Sequence, residues 1–196
     1  MNFINYIKKN TKKKIGYLIF IITLILWSVF LMYYSPQKII SKIGNQNAYI
    51  ISFLSALIGG TSILFPFPYY LFVLTFGSGG ANPFILGISA GVGLIIGDST
   101  SYLIGYKGKE ILPDKLNVIF KKLYFFCNNS KYKWFIPIFL FFYGAIIPLP
   151  NDVIVISLGL VKYPYLKLIM PLGLGSIVFN TILAFAGFYG LSSFFL

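Results

Sequence analysis

The chain has 196 residues, of which 58% are hydrophobic and only 10% are charged, a composition typical of integral membrane proteins and not of soluble domains. Its sixteen basic residues are all lysine, histidine is absent and Cys127 is the single cysteine, which excludes a histidine metal site, a His-containing triad and an internal disulfide. The net charge of +12 is expected to meet anionic lipid, and no nucleic-acid partner is expected.

The first long apolar run, residues 15–34, follows a group of lysines and is about 20 residues long, which is enough to cross the hydrocarbon core of a bilayer. It predicts an N-terminal transmembrane helix with a cytoplasmic N-terminus, so that residues 1–44 form an N-terminal region. A cleaved signal peptide is the alternative, but the run is longer than a signal core and no small-x-small cleavage site follows it. The preceding lysines are Lys8, Lys9, Lys12, Lys13 and Lys14.

Two later apolar segments are each broken by a Pro-x-Pro sequence, which a helix cannot continue through. Residues 48–65 lead into Pro66 and Pro68, and a short apolar piece then ends at Gly77. Residues 134–147 lead into Pro148 and Pro150 in the same way. Because the pieces are too short to cross a bilayer separately, each segment predicts a re-entrant hairpin that turns at its Pro-x-Pro sequence.

Each hairpin is followed by an apolar segment that is long enough to span, residues 84–106 and 165–189. The loop between them, residues 109–133, contains a weakly amphipathic stretch over 116–126 that is expected to lie on the inner membrane surface. With re-entrant hairpins, the seven lysines from Lys107 to Lys133 fall inside and Lys38 and Lys42 fall outside, as the positive-inside rule prefers. Full spans in place of hairpins would put that lysine-rich loop outside.

The two hairpin-plus-span units repeat the same punctuation at an offset of 82 residues. Since each unit crosses the membrane once, the second unit is inverted relative to the first. The predicted fold is therefore an all-α polytopic membrane protein: an N-terminal transmembrane helix, then one membrane domain over 45–190 made of an inverted repeat (about 48–108 and about 134–190). The repeated pairs include the helix-packing glycines Gly91, Gly93 and Gly105, matched by Gly173, Gly175 and Gly187.

Two carboxylates, Asp98 and Asp152, lie in apolar segments, and ionisable residues at membrane depth mark functional sites by default. Asp98 has Tyr102 one helical turn further on and Asn180 at the equivalent place in the second unit. The alternative interpretation is that Asp98, Ser99, Asn180 and Thr181 only hold two symmetry-related helices together. Such a packing role does not exclude a function.

Asp152 follows Asn151 at the start of the short helix after Pro150, so it either caps that helix or contributes to a mid-membrane binding point at a helix N-terminus. The matching residues of the first hairpin are Tyr69 and Tyr70, which carry hydroxyls but no charge. Lys162, after the second hairpin, is expected either to meet a headgroup phosphate or to extend to the interface.

The series Gly91-x-Gly93-x3-Gly97-Asp98-x3-Tyr102-x2-Gly105-x2-Gly108, with the hairpin Ile147-Pro-Leu-Pro-Asn-Asp152, resembles the DedA family, also called SNARE-associated Golgi protein or VTT domain. The resemblance covers about residues 45 to 190. It implies a polytopic protein with two re-entrant hairpins that acts in lipid translocation. Many bacterial members carry an acidic residue where this chain has Tyr69 and Tyr70, and an arginine near Tyr143 and Gly144, so the chain departs from the family there.

The expected function is a flippase or scramblase of the plasma membrane that moves an anionic phospholipid or polyprenyl-phosphate headgroup past the hairpins. Proton or sodium coupling and a homo-oligomer are further expectations; no cofactor, metal or enzymatic activity is expected, because no nucleophile lies beside a base. The alternatives are an ion- or solute-coupled secondary transporter and a non-transporting membrane assembly factor. The expected pathway residues are Asp98, Tyr102, Asn151, Asp152, Tyr69, Tyr70 and Asn180, and the expected hairpin turns are Pro66, Pro68, Pro148 and Pro150.

Overall fold

The structure, a computed structural model, describes residues 21–31, 33–61, 67–108, 134–147 and 151–191, and all regular structure within these ranges is helical. The expected turns at Pro66, Pro148 and Pro150 and the loop over 109–133 lie outside the described residues. The helices are α1 (Ile21–Leu31), α2 (Pro36–Ile43), α3 (Asn45–Gly59), α4 (Tyr70–Ser78), α5 (Pro83–Gly108), α6 (Phe135–Ile146), α7 (Asp152–Leu160) and α8 (Tyr165–Ala186), which continues as a π-helical turn over Gly187–Leu191.

Two helices are long and apolar enough to cross a membrane: Pro83–Gly108 and Tyr165–Gly190, each of 26 residues, with mean hydropathy 1.5 and 1.9. Their side chains are distributed as in a membrane protein, since α5 exposes Phe84, Ile88 and Ile96 and buries Asp98 and Ser101. An apolar outside with a polar inside is the arrangement expected where lipid is the solvent. The prediction of an all-helical chain with two long apolar helices at these positions is therefore confirmed.

Helices α5 and α8 pack antiparallel, and glycines in their contact surfaces allow the two helices to approach closely. A Cβ at Gly91 would lie 2.9 Å from the Cα of Ile177, and one at Gly173 would lie 2.6 Å from the Cδ1 of Ile95. In both contacts the two residue numbers sum to 268, so the register is constant along the pair. The expectation that Gly91 and Gly173 serve helix packing agrees with this close approach.

The shorter helices α3 and α4 meet α5 between one end of the bundle and its middle. We call the end of a short helix that lies at an end of the bundle its outer end and the other its inner end. The outer end of α3, its N-terminus, lies beside the start of α5, where the hydroxyl of Tyr49 accepts a hydrogen bond from the backbone N–H of Asn82 at 3.1 Å. Its inner end approaches the middle of α5, because a Cβ at Gly97 would lie 2.7 Å from the Cα of Gly60. Helix α4 then returns, and its last residue, Ser78, lies near Gly187 at the end of α8.

Helices α6 and α7 occupy the opposite half of the bundle. Residues Ile136 and Leu140 of α6 pack with Leu168 near the start of α8. Close to the middle of α8, a Cβ at Gly175 would lie 3.0 Å from the backbone nitrogen of Ala145 in α6. The outer end of α7 lies beside the C-terminal turns of α5, since a Cβ at Gly159 would be 3.1 Å from the backbone nitrogen of Tyr106.

The N-terminal part holds one helix that the sequence analysis did not predict. Helix α2 is short and amphipathic: Pro36 and Ile40 are buried while Lys38 and Lys42 are exposed. It lies against the outer end of α4, where the side-chain amide of Gln37 donates to the carbonyl of Ser78 at 3.3 Å. Helix α1 has eleven described residues, Ile21–Leu31, so the first half of the predicted N-terminal span lies largely outside the described part.

Candidate functional site

A cluster of polar side chains occupies the interior of the bundle where the inner ends of the short helices meet α5 and α8. Asp98 is the sixteenth of the 26 residues of Pro83–Gly108, and Asn180 is the sixteenth of the 26 residues of Tyr165–Gly190. Each therefore lies about 4 Å past the midpoint of its helix. Both side chains are almost completely inaccessible, Asp98 at 1% and Asn180 at 0%.

Asn151, at the inner end of α7, joins α5 to α8 through its side-chain amide. Its Nδ2 donates to Oδ2 of Asp98 at 2.8 Å and lies 3.3 Å from Oγ of Ser176 on α8. Among the described residues, Asp98 is thus linked to α8 through Asn151. The Nδ2 of Asn180 donates to the Ser176 carbonyl of its own helix at 2.8 Å.

Asp152 is held by a different donor. It is the first residue of α7, and its Oδ1 accepts a hydrogen bond from Oγ of Ser101 on α5 at 2.6 Å. The interpretation of Asp152 as the helix cap is therefore wrong: the cap position belongs to Asn151, which has helical backbone angles and makes no capping hydrogen bond with its side chain. The carboxyl instead ties the inner end of α7 to α5.

On the other side of the cluster, Tyr69 lies at the inner end of α4. Its hydroxyl is close to the side chain of Asn180 on α8 and to the carboxyl of Asp98. Tyr143 of α6 also interacts electrostatically with Asp98. The structure therefore brings together five of the seven expected pathway residues: Asp98, Asn151, Asp152, Tyr69 and Asn180.

The remaining two expected pathway residues are placed elsewhere. Tyr102 is buried, but its hydroxyl donates to the backbone carbonyl of Tyr163 at 2.7 Å, which fastens the α7–α8 connection to α5. Tyr70 is half-buried and packs its ring edge against that of Tyr69, with centroids 5.9 Å apart. Tyr102 is therefore engaged in a hydrogen bond, and Tyr70 in an aromatic contact, outside the polar groups of the cluster.

The electrostatics of the cluster are one-sided. The charged neighbour of Asp98 among the described residues is Asp152, and its polar neighbours are neutral; no lysine acts on either carboxyl. Three buried side-chain oxygens lack a hydrogen-bond partner within the described part of the chain: Oδ1 of Asp98, Oδ1 of Asn180 and Oγ of Ser52. Two of these oxygens, Oδ1 of Asp98 and Oδ1 of Asn180, belong to the cluster, which therefore has two acceptors without a donor among the described residues.

Two members of the cluster did not stand out in the sequence. Ser176 was not singled out, although it lies one helical turn before Asn180 and hence on the same face of α8. Ser101 follows Asp98 by three residues on the same face of α5, and its hydroxyl binds the second carboxyl, Asp152. A search for small polar residues one turn from each intramembrane Asp or Asn would have found both.

Among the described residues, no group of three or more acidic, histidine or cysteine side chains could hold a metal ion. No protein-family model matches the chain, and neither a curated protein nor a solved structure is similar to it. The features that bear on function are therefore the two membrane-length helices and the buried polar cluster near their midpoints.

Proposed function

We propose that the protein is a membrane lipid translocase, a flippase or scramblase, whose headgroup path passes the polar cluster around Asp98. The observation that carries the proposal is the position of this cluster: two carboxyls, two asparagine amides and two serine hydroxyls lie at mid-depth in an otherwise apolar bundle. Burying so many polar groups costs free energy, and polar residues kept at membrane depth therefore mark a functional site by default. Lipid headgroups are polar ligands that need a polar route across this depth.

The proposed architecture is an inverted repeat of two re-entrant hairpins, each followed by a span. Four pairs of contacts support it, because adding 82 to one residue number and subtracting 82 from the other converts each contact into a second contact that also occurs. The pairs are Gly91–Ile177 with Gly173–Ile95, Gly105–Ile156 with Gly187–Leu74, Gly77–Ala184 with Gly159–Tyr102, and Asn151–Asp98 with Tyr69–Asn180. In inverted-repeat transporters the site lies at the interface of the two repeats near the midplane, and the proposed architecture assigns this cluster the same position.

With this architecture, a DedA-like protein of the plasma membrane with a cytoplasmic N-terminus is the proposed class. The described helices support this class in two places: the outer ends of α3 and α4 lie at one end of the bundle, and the outer ends of α6 and α7 lie at the other. The short helices leave backbone groups without intrahelical partners near the cluster, at the C-termini of α3 and α6 and the N-termini of α4 and α7. Helix N-termini favour the phosphate of a headgroup and C-termini favour a cation.

The test is lipid movement in liposomes that contain the purified chain and acyl-chain-labelled lipids. Anionic phospholipid, zwitterionic phospholipid and polyprenyl phosphate are assayed separately. We expect at least one of them to become accessible in the opposite leaflet at least tenfold faster than in empty vesicles, and Asp98→Asn with Asp152→Asn to remove most of that gain. Thr100→Val is the matched control, because Thr100 lies on the exposed side of α5 and its hydroxyl bonds its own helix.

The proposal fails if no lipid moves faster than in empty vesicles while the protein is folded and inserted. An unchanged rate in the Asp98→Asn, Asp152→Asn variant would keep lipid movement but remove the cluster from the path.

The second candidate function, an ion-coupled secondary transporter, is favoured by the acceptor-rich character of the cluster. Ion flux without lipid movement in the same vesicles would select it.

A further inference from the structure

The carboxyl of Asp98 is incompletely satisfied by the protein. Its Oδ2 accepts a hydrogen bond from Asn151 at 2.8 Å, whereas its Oδ1 is buried and has no partner within the described residues. Oδ1 of Asn180, the equivalent residue of the second unit, is likewise buried and without a partner there. Leaving buried acceptors unpaired is unfavourable, so each is a position where a ligand with positive charge or N–H donors would be stabilised.

The two carboxyls differ in what compensates their charge. Asp152 is the first residue of α7, where the helix N-terminus favours a negative charge, and it accepts a short hydrogen bond of 2.6 Å from Ser101. Asp98 lies in the interior of α5, where the backbone N–H groups are used within the helix. Asp98 is therefore the carboxyl whose negative charge, when it is ionised, the described residues leave uncompensated.

The surroundings of Asp98 supply oxygen and no cation. Its neighbours are Asp152 and Asn151 from α7, Tyr69 from α4 and Tyr143 from α6. Ser176 of α8 shares its contact to Asn151. From α3, the carbonyl of Gly60 lies 3.4 Å from the hydroxyl of Ser101, so the negative end of that helix also points at the cluster.

We propose that Oδ1 of Asp98 binds a monovalent cation, either a small ion from solution or the ammonium of a lipid headgroup. One uncompensated carboxylate with amide and hydroxyl oxygens nearby matches a single positive charge, and no set of three acidic ligands for a divalent ion occurs in the described part. The proposal rests on the proposed lipid function only for the headgroup source. The ammonium donates N–H bonds to the same acceptors that would ligate sodium.

The test is thermal unfolding of the full-length protein in detergent at constant pH and ionic strength. The salts compared are sodium chloride, methylammonium chloride and N-methylglucamine chloride, whose cation is too bulky for the cluster. At concentrations above the dissociation constant, we expect each tenfold increase in the concentration of the cation that binds to raise Tm by about 3–5 °C. We expect Asp98→Asn to lose this shift and Thr100→Val to keep it.

The arms of the experiment separate the two sources. A shift with sodium alone identifies a solution ion, and a shift with methylammonium alone identifies a headgroup amine. If Asp98→Asn does not fold, Ser176→Ala is used; it should weaken the apparent cation affinity several-fold because it removes a hydroxyl beside the site.

Equal Tm values in all three salts would overturn the proposal, and so would a salt-specific shift that persists in Asp98→Asn. A dependence on pH with no dependence on the salt would also overturn it, because the counter-charge would then be a proton. Lipid movement in liposomes prepared with N-methylglucamine alone is measured in parallel. If the Tm values reject the cation site and lipids still move there at the full rate, the proposed lipid function stands without the cation site.

Discussion

Asp98 and Asp152 face each other across α5 and α7, yet different groups hold them. Asp152 receives a hydroxyl donor from Ser101 at 2.6 Å, and Asp98 receives an amide donor from Asn151 at 2.8 Å. The two donors exchange helices: α5 supplies the hydroxyl for the carboxyl of α7, and α7 supplies the amide for the carboxyl of α5. This reciprocal pair fixes the inner end of α7 on α5 even though that end has no side-chain cap.

Replacing Ser101 by alanine should show the strength of this attachment. The change removes the described donor to Oδ1 of Asp152 at a fully buried position, so we expect a loss of about 1.5–3 kcal/mol in the free energy of unfolding. Ser157→Ala is the matched control, because among the described residues the Ser157 hydroxyl bonds the Val153 carbonyl of its own helix at 2.6 Å. Reversible thermal unfolding in detergent measures both, and equal losses would contradict the attachment.

Lys162 has a left-handed backbone, with φ of 55°, at the position that corresponds to Gly80, whose φ is 95°. Its ammonium nitrogen lies 5.0 Å from the centre of the Tyr106 ring, so a cation–π contact accompanies an unfavourable conformation. Lys162→Gly and Lys162→Ala both lose the contact, but only alanine keeps the Cβ. We expect the free energy of unfolding of the glycine variant to exceed that of the alanine variant by about 1–2 kcal/mol, measured by thermal unfolding. A more stable alanine variant would contradict the positive φ.

Much of the site could be predicted from the sequence because intramembrane polar residues are rare. Asp98, Asn151, Asp152 and Asn180 were selected on that ground, and they share one cluster. The partners could not be predicted, since they depend on which turns of α5 and α7 come into contact. The hydroxyl of Tyr102 illustrates the limit: its spacing places it near Asp98, but the tertiary contact places it on the Tyr163 carbonyl.

At the scale of elements, the α5–α8 pair depends on missing side chains, and its two related contacts are not equivalent. At Gly91 a Cβ would meet the Ile177 backbone at 2.9 Å, whereas at Gly173 it would meet only the side chain of Ile95. A side chain can move aside more easily than a helix backbone. We expect Gly91→Ala to cost about 1–3 kcal/mol and Gly173→Ala clearly less.

The measurement is the thermal midpoint of each variant in detergent, with the fraction of protein that elutes as a single species as a check on folding. Ile95→Ala combined with Gly173→Ala should restore part of any loss at Gly173, because it frees the space that the new methyl group needs. The same replacement of Ile177 should rescue Gly91→Ala less. Equal costs at the two glycines would contradict the described packing.

The sequence predicted the long helices well because their apolar length has few alternative interpretations. It predicted the start of α7 within a residue or two, because proline cannot continue a helix and Pro150 comes directly before Asn151. Helix α2 was missed although its sequence is amphipathic, because it is only eight residues long and its burial depends on the contact with α4. The end of α3 at Gly59, before the expected Pro66, also reflects a tertiary contact: the approach of Gly60 to Gly97.

At the scale of the whole molecule, the lysines of the described part divide between the two ends of the bundle. Lys38 lies in α2, beside the ends of α4 and α8, while Lys167 lies in the first helical turn of α8 at the opposite end. Both side chains are exposed. If the proposed orientation is correct, these ends face opposite sides of the cell membrane.

Single cysteines in a Cys127→Ser background test this orientation. We expect Lys38→Cys to react with a membrane-impermeant maleimide in intact cells and Lys167→Cys to react only after permeabilisation, because a charged reagent does not cross the bilayer. The extent of labelling on a denaturing gel is the readout. Labelling of both positions from the same side would contradict a bundle that crosses the membrane between them, and the reverse pattern would invert the proposed orientation.

The contact between α1 and α4 gives the molecule a built-in spectroscopic reporter. The chain has two tryptophans: Trp134 is 83% exposed, whereas the indole nitrogen of Trp27 donates to the hydroxyl of Thr75 at 3.2 Å and its ring lies 4.9 Å from that of Phe72. Emission from Trp27 in a Trp134→Phe background therefore reports on α4, the helix that carries Tyr69 towards Asn180. A movement of α4 during transport would be visible as a change in intrinsic fluorescence, without any added label.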